Sequence, residues 1–210
     1  MLDIIVCDDH PVVRQGLARI IQNGLDVARI READNGPMLF EMLREHVSDL
    51  VLLDVTLPGR SGLEVLRQLK LERPRVPVLV LSVHPAEQYA VRALRAGASG
   101  YLTKDLAAEE LVTAVRHVSR GQRYLTPAVA ERLADALEKP VDRQPHEELS
   151  DREFQVLGLL GSGKTVRQIA DELCLSYNTI STYRSRILSK LALDTDAQLV
   201  RYALQHGLTE

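Results

Sequence analysis

In the first half of the chain, polar residues stand at the ends of short apolar runs. Asp8 and Asp9 follow Ile4-Ile5-Val6-Cys7, and Asp54 follows Leu50-Val51-Leu52-Leu53. Ser82 follows Val78-Leu79-Val80-Leu81, and Lys104 follows Gly100-Tyr101-Leu102-Thr103. Near-continuous apolar runs of this length fit parallel strands covered on both faces. The predicted strands are Asp3–Cys7, Val27–Ala33, Leu50–Asp54, Val78–Ser82 and Gly100–Thr103. Between and after them the spacing becomes helical, near Val12–Ile21, Pro37–His46, Leu63–Leu71, Ala86–Ala96 and Ala107–Val118. Pro11 and Pro85 suit first helical turns, Ser61 with Glu64 makes a capping box, and Gly97 and Gly121 suit helix ends. Strands alternating with helices predict βαβ units around a parallel sheet.

The pattern then changes. A helix is predicted over Tyr124–Leu137, with Pro127 at its start. Glu138–Glu148 holds Pro140, Pro145 and six charged residues against one aliphatic side chain, Val141, which predicts a linker. From Leu149 the chain reads as short helices. Ser150 with Glu153, Thr165 with Gln168 and Thr195 with Gln198 make capping boxes, and Ser176 suits the N-cap of a helix carrying Ile180, Ile187, Leu188 and Leu191. The expected division is a sheet domain over 1–120, a linker helix and flexible linker over 121–148, and a small helical domain over 149–210.

Composition adds limits. The 210 residues allow one or two domains, and with no tryptophan and 4% aromatics the cores must be aliphatic. A net charge of -3 gives no sign of a generally basic protein. No apolar run reaches the ~18 residues of a membrane span, and no basic stretch precedes the first strand, so a cytoplasmic chain is expected. Cys7 and Cys174 both sit in apolar patterns of different domains, which predicts two buried, reduced thiols. Gly158 to Thr165 spells the phosphate-binding P-loop pattern in full. That pattern needs a strand before it, whereas Gly158 falls inside a predicted helix, so Gly161 and Gly163 are expected to end that helix and Thr165 to cap the next.

Ligands of an open parallel sheet bind beyond the carboxyl ends of its strands. Asp8, Asp9, Asp54, Ser82 and Lys104 should therefore meet at one edge. Clustered carboxylates repel one another, and a hard dication such as Mg2+ relieves the repulsion. Asp54, alone on the central strand, is the candidate nucleophile toward a phosphoryl group. Asp9 and Asp54 would ligate magnesium, with Asp8 joining directly or through water. Lys104 would pair with phosphoryl oxygens and Ser82 would donate to another.

With Leu57-Pro58-Gly59, Gly62 and Tyr101 placed three before Lys104, residues 1–120 resemble the receiver domain of two-component response regulators. The resemblance implies an α/β, flavodoxin-like doubly wound (βα)5 fold and phosphorylation of Asp54 by a sensor histidine kinase. It also implies a Thr56 backbone carbonyl on the metal, and a Tyr101 rotamer change as Ser82 moves. Many receivers carry a cis proline after the lysine; here Asp105 follows Lys104, which leaves that isomer open.

Thr165 to Leu191 reads as helix, short turn, helix. The second helix opposes its apolar face with Asn178, Ser181, Thr182 and Ser185, with Arg184 and Arg186 at the flanks and Lys190 near the end. Short polar side chains can approach base edges while basic ones hold phosphates. Ser176 to Lys190 carries three basic residues and no acidic one. Leu149–Leu208 also resembles the all-α, four-helix LuxR/NarL-type helix-turn-helix domain. The shared residues include Arg152-Glu153, Gln168-Ile169-Ala170, Leu175-Ser176, Thr179-Ile180 and Lys190-Leu191. The resemblance implies docking in the major groove of promoter DNA, with Thr179 in the contact set. Ser181 and Ser185 stand where the family often has basic residues, and Tyr183 where it often has histidine, so the family's target sequence does not carry over.

The combined expectation is a NarL/FixJ-type transcription regulator rather than an enzyme, in which phosphorylation controls homodimerisation and promoter binding. Two alternatives stay open: a regulator that works without phosphate, and an aspartyl-phosphate phosphotransfer enzyme. The second lacks the expected further aspartate in Asp54-Val55-Thr56.

Overall fold

The computed structural model describes residues 2–25, 28–83, 86–105, 107–138 and 144–209. Val27, Pro85, Pro140 and Val141, which entered the predicted strand, helix start and linker, lie outside them. The chain divides into two compact units, Met1–Ala136 and Leu137–Glu210.

The first unit alternates β1 (Leu2–Cys7), α1 (Pro11–Gly24), β2 (Ala28–Ala33), α2 (Gly36–Glu45), β3 (Leu50–Asp54), α3 (Gly62–Glu72), β4 (Val78–Ser82), α4 (Ala86–Arg95), β5 (Gly100–Thr103) and α5 (Ala108–Ser119), followed by α6 (Pro127–Glu138). The five strands pair in parallel in the order β2-β1-β3-β4-β5. β3 and β4 are buried at every position, as a strand covered on both faces must be. β2, whose Arg29, Arg31 and Glu32 interrupt the apolar pattern, lies at a sheet edge. Ile4, Val6, Leu50, Leu52, Leu79, Leu81 and Leu102 pack on one face with Ile21 of α1 and Leu111, Ala114, Val115 and Val118 of α5. The alternate residues Ile5, Val51, Leu53 and Val80 belong to the other face and are equally buried. Connections leave β1 in opposite directions toward β2 and β3, so a crevice opens beyond the ends of β1 and β3.

Local signals match the sequence. Pro11 opens α1, Ser61 and Glu64 close a capping box on α3, and Gly97 and Gly121 take positive φ after α4 and α5. No peptide bond among the described residues is cis, Lys104–Asp105 included.

The second unit holds α7 (Asp151–Gly161), α8 (Val166–Glu172), α9 (Tyr177–Lys190) and α10 (Asp196–Gln205). α7 packs against α9 and α10, and α8 against α9. Ser150, Thr165 and Thr195 each complete a capping box, and Ser176 accepts from Thr179 N–H. Val156, Leu157, Ile169, Leu173, Ile180, Ile187, Leu199 and Ala203 are buried apolar residues of this unit.

Two expectations need correction. The end of the predicted flexible linker is ordered: Pro145–Glu148 forms a 3-10 turn. Pro145 presets its first φ, Glu147 N–H donates to Gln144 C=O at 2.8 Å, and the His146 ring meets Tyr202 Oη at 3.0 Å. Cys174 is exposed, whereas Cys7 is buried as expected. α8 ends at Glu172, and Cys174 takes a left-handed φ of 51° in the bend that follows, off the buried stripe.

The P-loop pattern holds no phosphate loop. Gly158 lies inside α7, Lys164 Nζ pairs with Glu172 at 2.8 Å, and Thr165 caps α8. A Cβ on Gly161 would come within 2.5 Å of Ala203 Cβ, so this glycine lets α7 and α10 approach closely.

Candidate functional site

Asp8 and Asp9 follow β1, Asp54 ends β3, Ser82 ends β4, and Lys104 follows β5. Parallel register carries all four strand ends to the same edge. Asp8 and Asp54 are 1% and 3% exposed. Lys104 Nζ lies 2.6 Å from Asp8 Oδ2 and 2.8 Å from Asp54 Oδ2, bridging the two acidic strand ends. Asp54 Oδ1 is a buried oxygen without a donor, while Asp8 Oδ2 and Asp9 Oδ1 have ion-pair contacts only, with Lys104 and His10.

Supporting contacts fix the loops. Lys104 N–H donates to Ser82 C=O at 2.7 Å and Val55 N–H to Leu81 C=O at 3.2 Å. Gly62 N–H donates to Val55 C=O at 2.8 Å, folding the Leu57-Pro58-Gly59 segment back against the end of β3. A Cβ on Gly62 would sit 1.8 Å from Asp54 O, so only glycine permits this approach. Ser82 and Tyr101 are fully buried.

Electrostatics follow from the burial. Burial pushes the Asp54 carboxyl up to about 6; Lys104 opposes the rise, Asp8 adds to it, and hydrogen bonds from Lys104 and Thr56 N–H oppose it further. Burial works to lower Lys104, but Asp54 and Asp8 outweigh it and hold the ammonium above the usual lysine range. Burial, then Asp54 and Asp8, raises the Cys7 thiol, which keeps it protonated and inert.

Donor atoms of Asp8, Asp9, His10 and Asp54 all lie within 4.8 Å of one another. Opposite ligands of an octahedral magnesium ion, with bonds near 2.1 Å, are ~4.2 Å apart. The carboxylates outnumber the single bridging ammonium, and three of their buried oxygens lack a hydrogen-bond donor, so the residues fit a divalent cation.

Two residues of this site escaped the sequence reading. His10 Nδ1 lies 2.7 Å from Asp9 Oδ1. Arg14 Nη1 donates to Asp8 C=O at 2.6 Å while its Nε donates to Glu32 Oε2 at 3.3 Å, tying the end of β1 to β2. Adjacency to Asp8-Asp9 was the available signal for His10; Arg14 had none beyond its place in the first turns of α1.

In the second unit, Asn178, Ser181, Thr182, Ser185, Arg186 and Ser189 line an open depression of about 510 Å³ along α9. Their spacing of three, four, seven, eight and eleven residues from Asn178 is that of one helix face. The other predicted contacts are engaged within the unit. Thr179 Oγ1 meets Ser176 Oγ at 2.8 Å, and Arg184 Nε pairs with Asp196 at 2.6 Å. Lys190 Nζ pairs with Glu153 at 2.6 Å, so this lysine is held by a buried carboxylate instead of standing free at the helix end.

The response regulator receiver domain family matches residues 4–116, and the luxR family of bacterial regulatory proteins matches residues 147–203. The response regulator GacA of Pseudomonas aeruginosa is 37% identical over 211 residues, covering 100% of this chain and 99% of its own. The chain is a two-component response regulator of the NarL/FixJ type. The response regulator UvrY of Escherichia coli K12 is 34% identical, over 99% of this chain and 96% of its own. RcsB of Salmonella enterica serovar Typhimurium, solved bound to promoter rprA in the presence of phosphomimetic BeF3-, matches this response regulator at TM-score 0.65. That match covers 96% of this chain and 97% of RcsB; at 22% identity the likeness is one of fold. Both matched families are regulatory, one a receiver and one DNA-binding. Among the described residues no helix is long and apolar enough to cross a membrane.

Proposed function

We propose that this cytoplasmic regulator accepts a phosphoryl group on Asp54 from a sensor histidine kinase, and that the modification controls homodimerisation and promoter binding. The observation that carries the reading is the Lys104 ammonium bridging Asp8 and Asp54 while Asp54 Oδ1 stays buried without an aligned donor. A buried carboxylate with one restrained oxygen and one available oxygen suits in-line attack on phosphorus.

In the transfer, an Asp54 oxygen forms the new O–P bond as the kinase's N–P bond breaks, and the departing imidazole keeps the electron pair and takes up a proton. Asp9, Asp54 and Asp8, with the Thr56 carbonyl, would hold magnesium. When bound, magnesium neutralises charge on the phosphoryl oxygens. Lys104 shifts from the carboxylates toward the phosphoryl group, and the Ser82 hydroxyl donates to another of its oxygens. Movement of Ser82 frees space that Tyr101 fills by changing rotamer, which biases the receiver between two states.

The DNA-binding unit places α9 in the major groove. Ser181, Thr182 and Ser185 contact base edges, and Arg186 a phosphate. Arg184 and Lys190 orient the helix through Asp196 and Glu153, and Thr179 fixes its first turn. RcsB, of the same fold, is solved on promoter DNA, which supports this docking.

Incubation with a phosphodonor and Mg2+ should label the wild-type chain, and Asp54→Asn should abolish labelling. Promoter-fragment affinity should rise with phosphorylation. Undiminished labelling of the variant would reject Asp54 as acceptor, and unchanged DNA affinity would favour a phosphate-independent regulator.

A further inference from the structure

We propose that His10 is an additional ligand in the acidic pocket, making it a mixed nitrogen and oxygen site that favours a first-row transition-metal dication over magnesium. The proposal rests on the pocket binding a divalent ion as described above.

The geometry starts with spacing. His10 Nδ1 lies 2.7 Å from Asp9 Oδ1 and 3.6 Å from Asp8 Oδ1, and these donors share the 4.8 Å cluster with Asp54. Neighbouring ligands of an octahedral ion with ~2.1 Å bonds are ~3 Å apart. The imidazole therefore stands where an adjacent ligand belongs. Its backbone is held there, because His10 N–H donates to Asp8 Oδ1 at 2.9 Å. The ring has no competing task at the helix start: His10 is the N-cap of α1, and its side chain makes no capping hydrogen bond.

A second observation points to an ion rather than to a simple His–Asp pair. Asp54 Oδ1, on an almost fully buried residue, has no donor, while Asp8 Oδ2 already faces Lys104 at 2.6 Å and Asp9 Oδ1 faces His10. A His10–Asp9 pair leaves Asp54 Oδ1 as it is; a cation shared by Asp9, His10 and Asp54 satisfies it. The His10 side chain is 66% exposed, so an ion entering from solvent can reach it.

Chemistry sets the preference. Magnesium favours oxygen and gives up its waters reluctantly, whereas later first-row dications accept imidazole readily. Carboxylates alone suit magnesium and manganese alike. The diagnostic quantity is therefore the change in preference when the imidazole is removed.

The experiment uses the metal-free full chain, with Mn2+ as the probe and Mg2+ as competitor, read by electron paramagnetic resonance. Bound Mn2+ should show nitrogen hyperfine coupling that changes on 15N-histidine labelling and disappears in His10→Ala. The Mn2+ over Mg2+ preference should fall about tenfold in that variant, the effect a lost metal-site contact commonly has. Bound Mn2+ without nitrogen coupling, or an unchanged preference in His10→Ala, overturns the role of His10 while leaving the pocket intact. Failure of the wild type to bind either ion, or binding indifferent to Asp9→Asn and Asp54→Asn, overturns the pocket reading and the proposal with it.

Discussion

One oxygen of Glu153 joins the start of α7 to the end of α9: Oε2 accepts from Ser150 N–H at 2.8 Å and from Lys190 Nζ at 2.6 Å. The capping carboxylate of one helix is thus also the ion-pair partner of the other. Lys190→Ala should destabilise the second unit by about 1.5–3 kcal/mol, the range for hydrogen bonds to charged groups. Denaturant unfolding of the full chain checks this.

The same pair sets a pH response. Burial tends to raise the Glu153 carboxyl, but hydrogen bonds from Lys190 and Ser150 outweigh it and hold the group below the usual glutamate range. A depressed pKa contributes stability that is present above the unfolded value and lost as pH falls through the folded one. Acid should therefore loosen the α7 start and the α9 end together. Amide exchange at these segments should accelerate on acidification below the ordinary glutamate pKa, less so in Glu153→Gln.

Asp54 has the opposite sign. Its folded pKa of about 6 stands above the unfolded value, so its contribution is fully present below the unfolded pKa and lost as pH rises through about 6. The ionised, metal-free state at neutral pH is strained by its own charge. Asp54→Asn should then stabilise the metal-free chain by ~3 kcal/mol at pH 8, by about half that at pH 5, and by little below pH 4. In the wild type, divalent-ion affinity should climb as pH rises through about 6, since the ion binds the deprotonated carboxylate. Unfolding curves with and without chelator report both effects.

Gly62→Ala tests the support beneath Asp54. Its methyl would overlap Asp54 O, so β3 or α3 must move; a cost of ~3 kcal/mol and impaired phosphorylation are expected. Gly59→Ala is the comparison. Gly59 has a φ of 75° but nothing near its Cβ position, so ~1 kcal/mol and near-normal labelling are expected there. Thermal unfolding and acyl-phosphate labelling separate the two.

On α9, Ser181 and Ser185 substitutions should change which sequences are selected from a random DNA pool. Arg186→Ala should weaken all sequences alike and lower the salt-dependence slope by about 1. Equal shifts in selected sequences from all of these variants would reject the division between base and phosphate contacts.

Much of this was readable from local signals. The apolar runs fixed the strands because a doubly covered strand has no polar face, and the capping boxes marked helix starts because their hydrogen bonds span only three residues. Asp8, Asp9, Asp54 and Lys104 followed from the topology rule for parallel sheets. What escaped were meetings between distant residues. Lys190 finds Glu153 across 37 positions, and Arg14 finds Glu32 across 18. Periodicity says which face a residue occupies, not which charge awaits it there. Cys174 was misplaced because an apolar pattern gives no notice that the helix ends two residues before it.

The contrast between the chain's two thiols has a practical consequence. Cys7 is sealed in the sheet and protonated, while Cys174 stands in solvent at the bend leading into α9. A maleimide fluorophore or nitroxide added to the unaltered chain will therefore attach at a single point, just ahead of α9. The sequence thus supplies its own reporter of events at that helix, with no residue replaced.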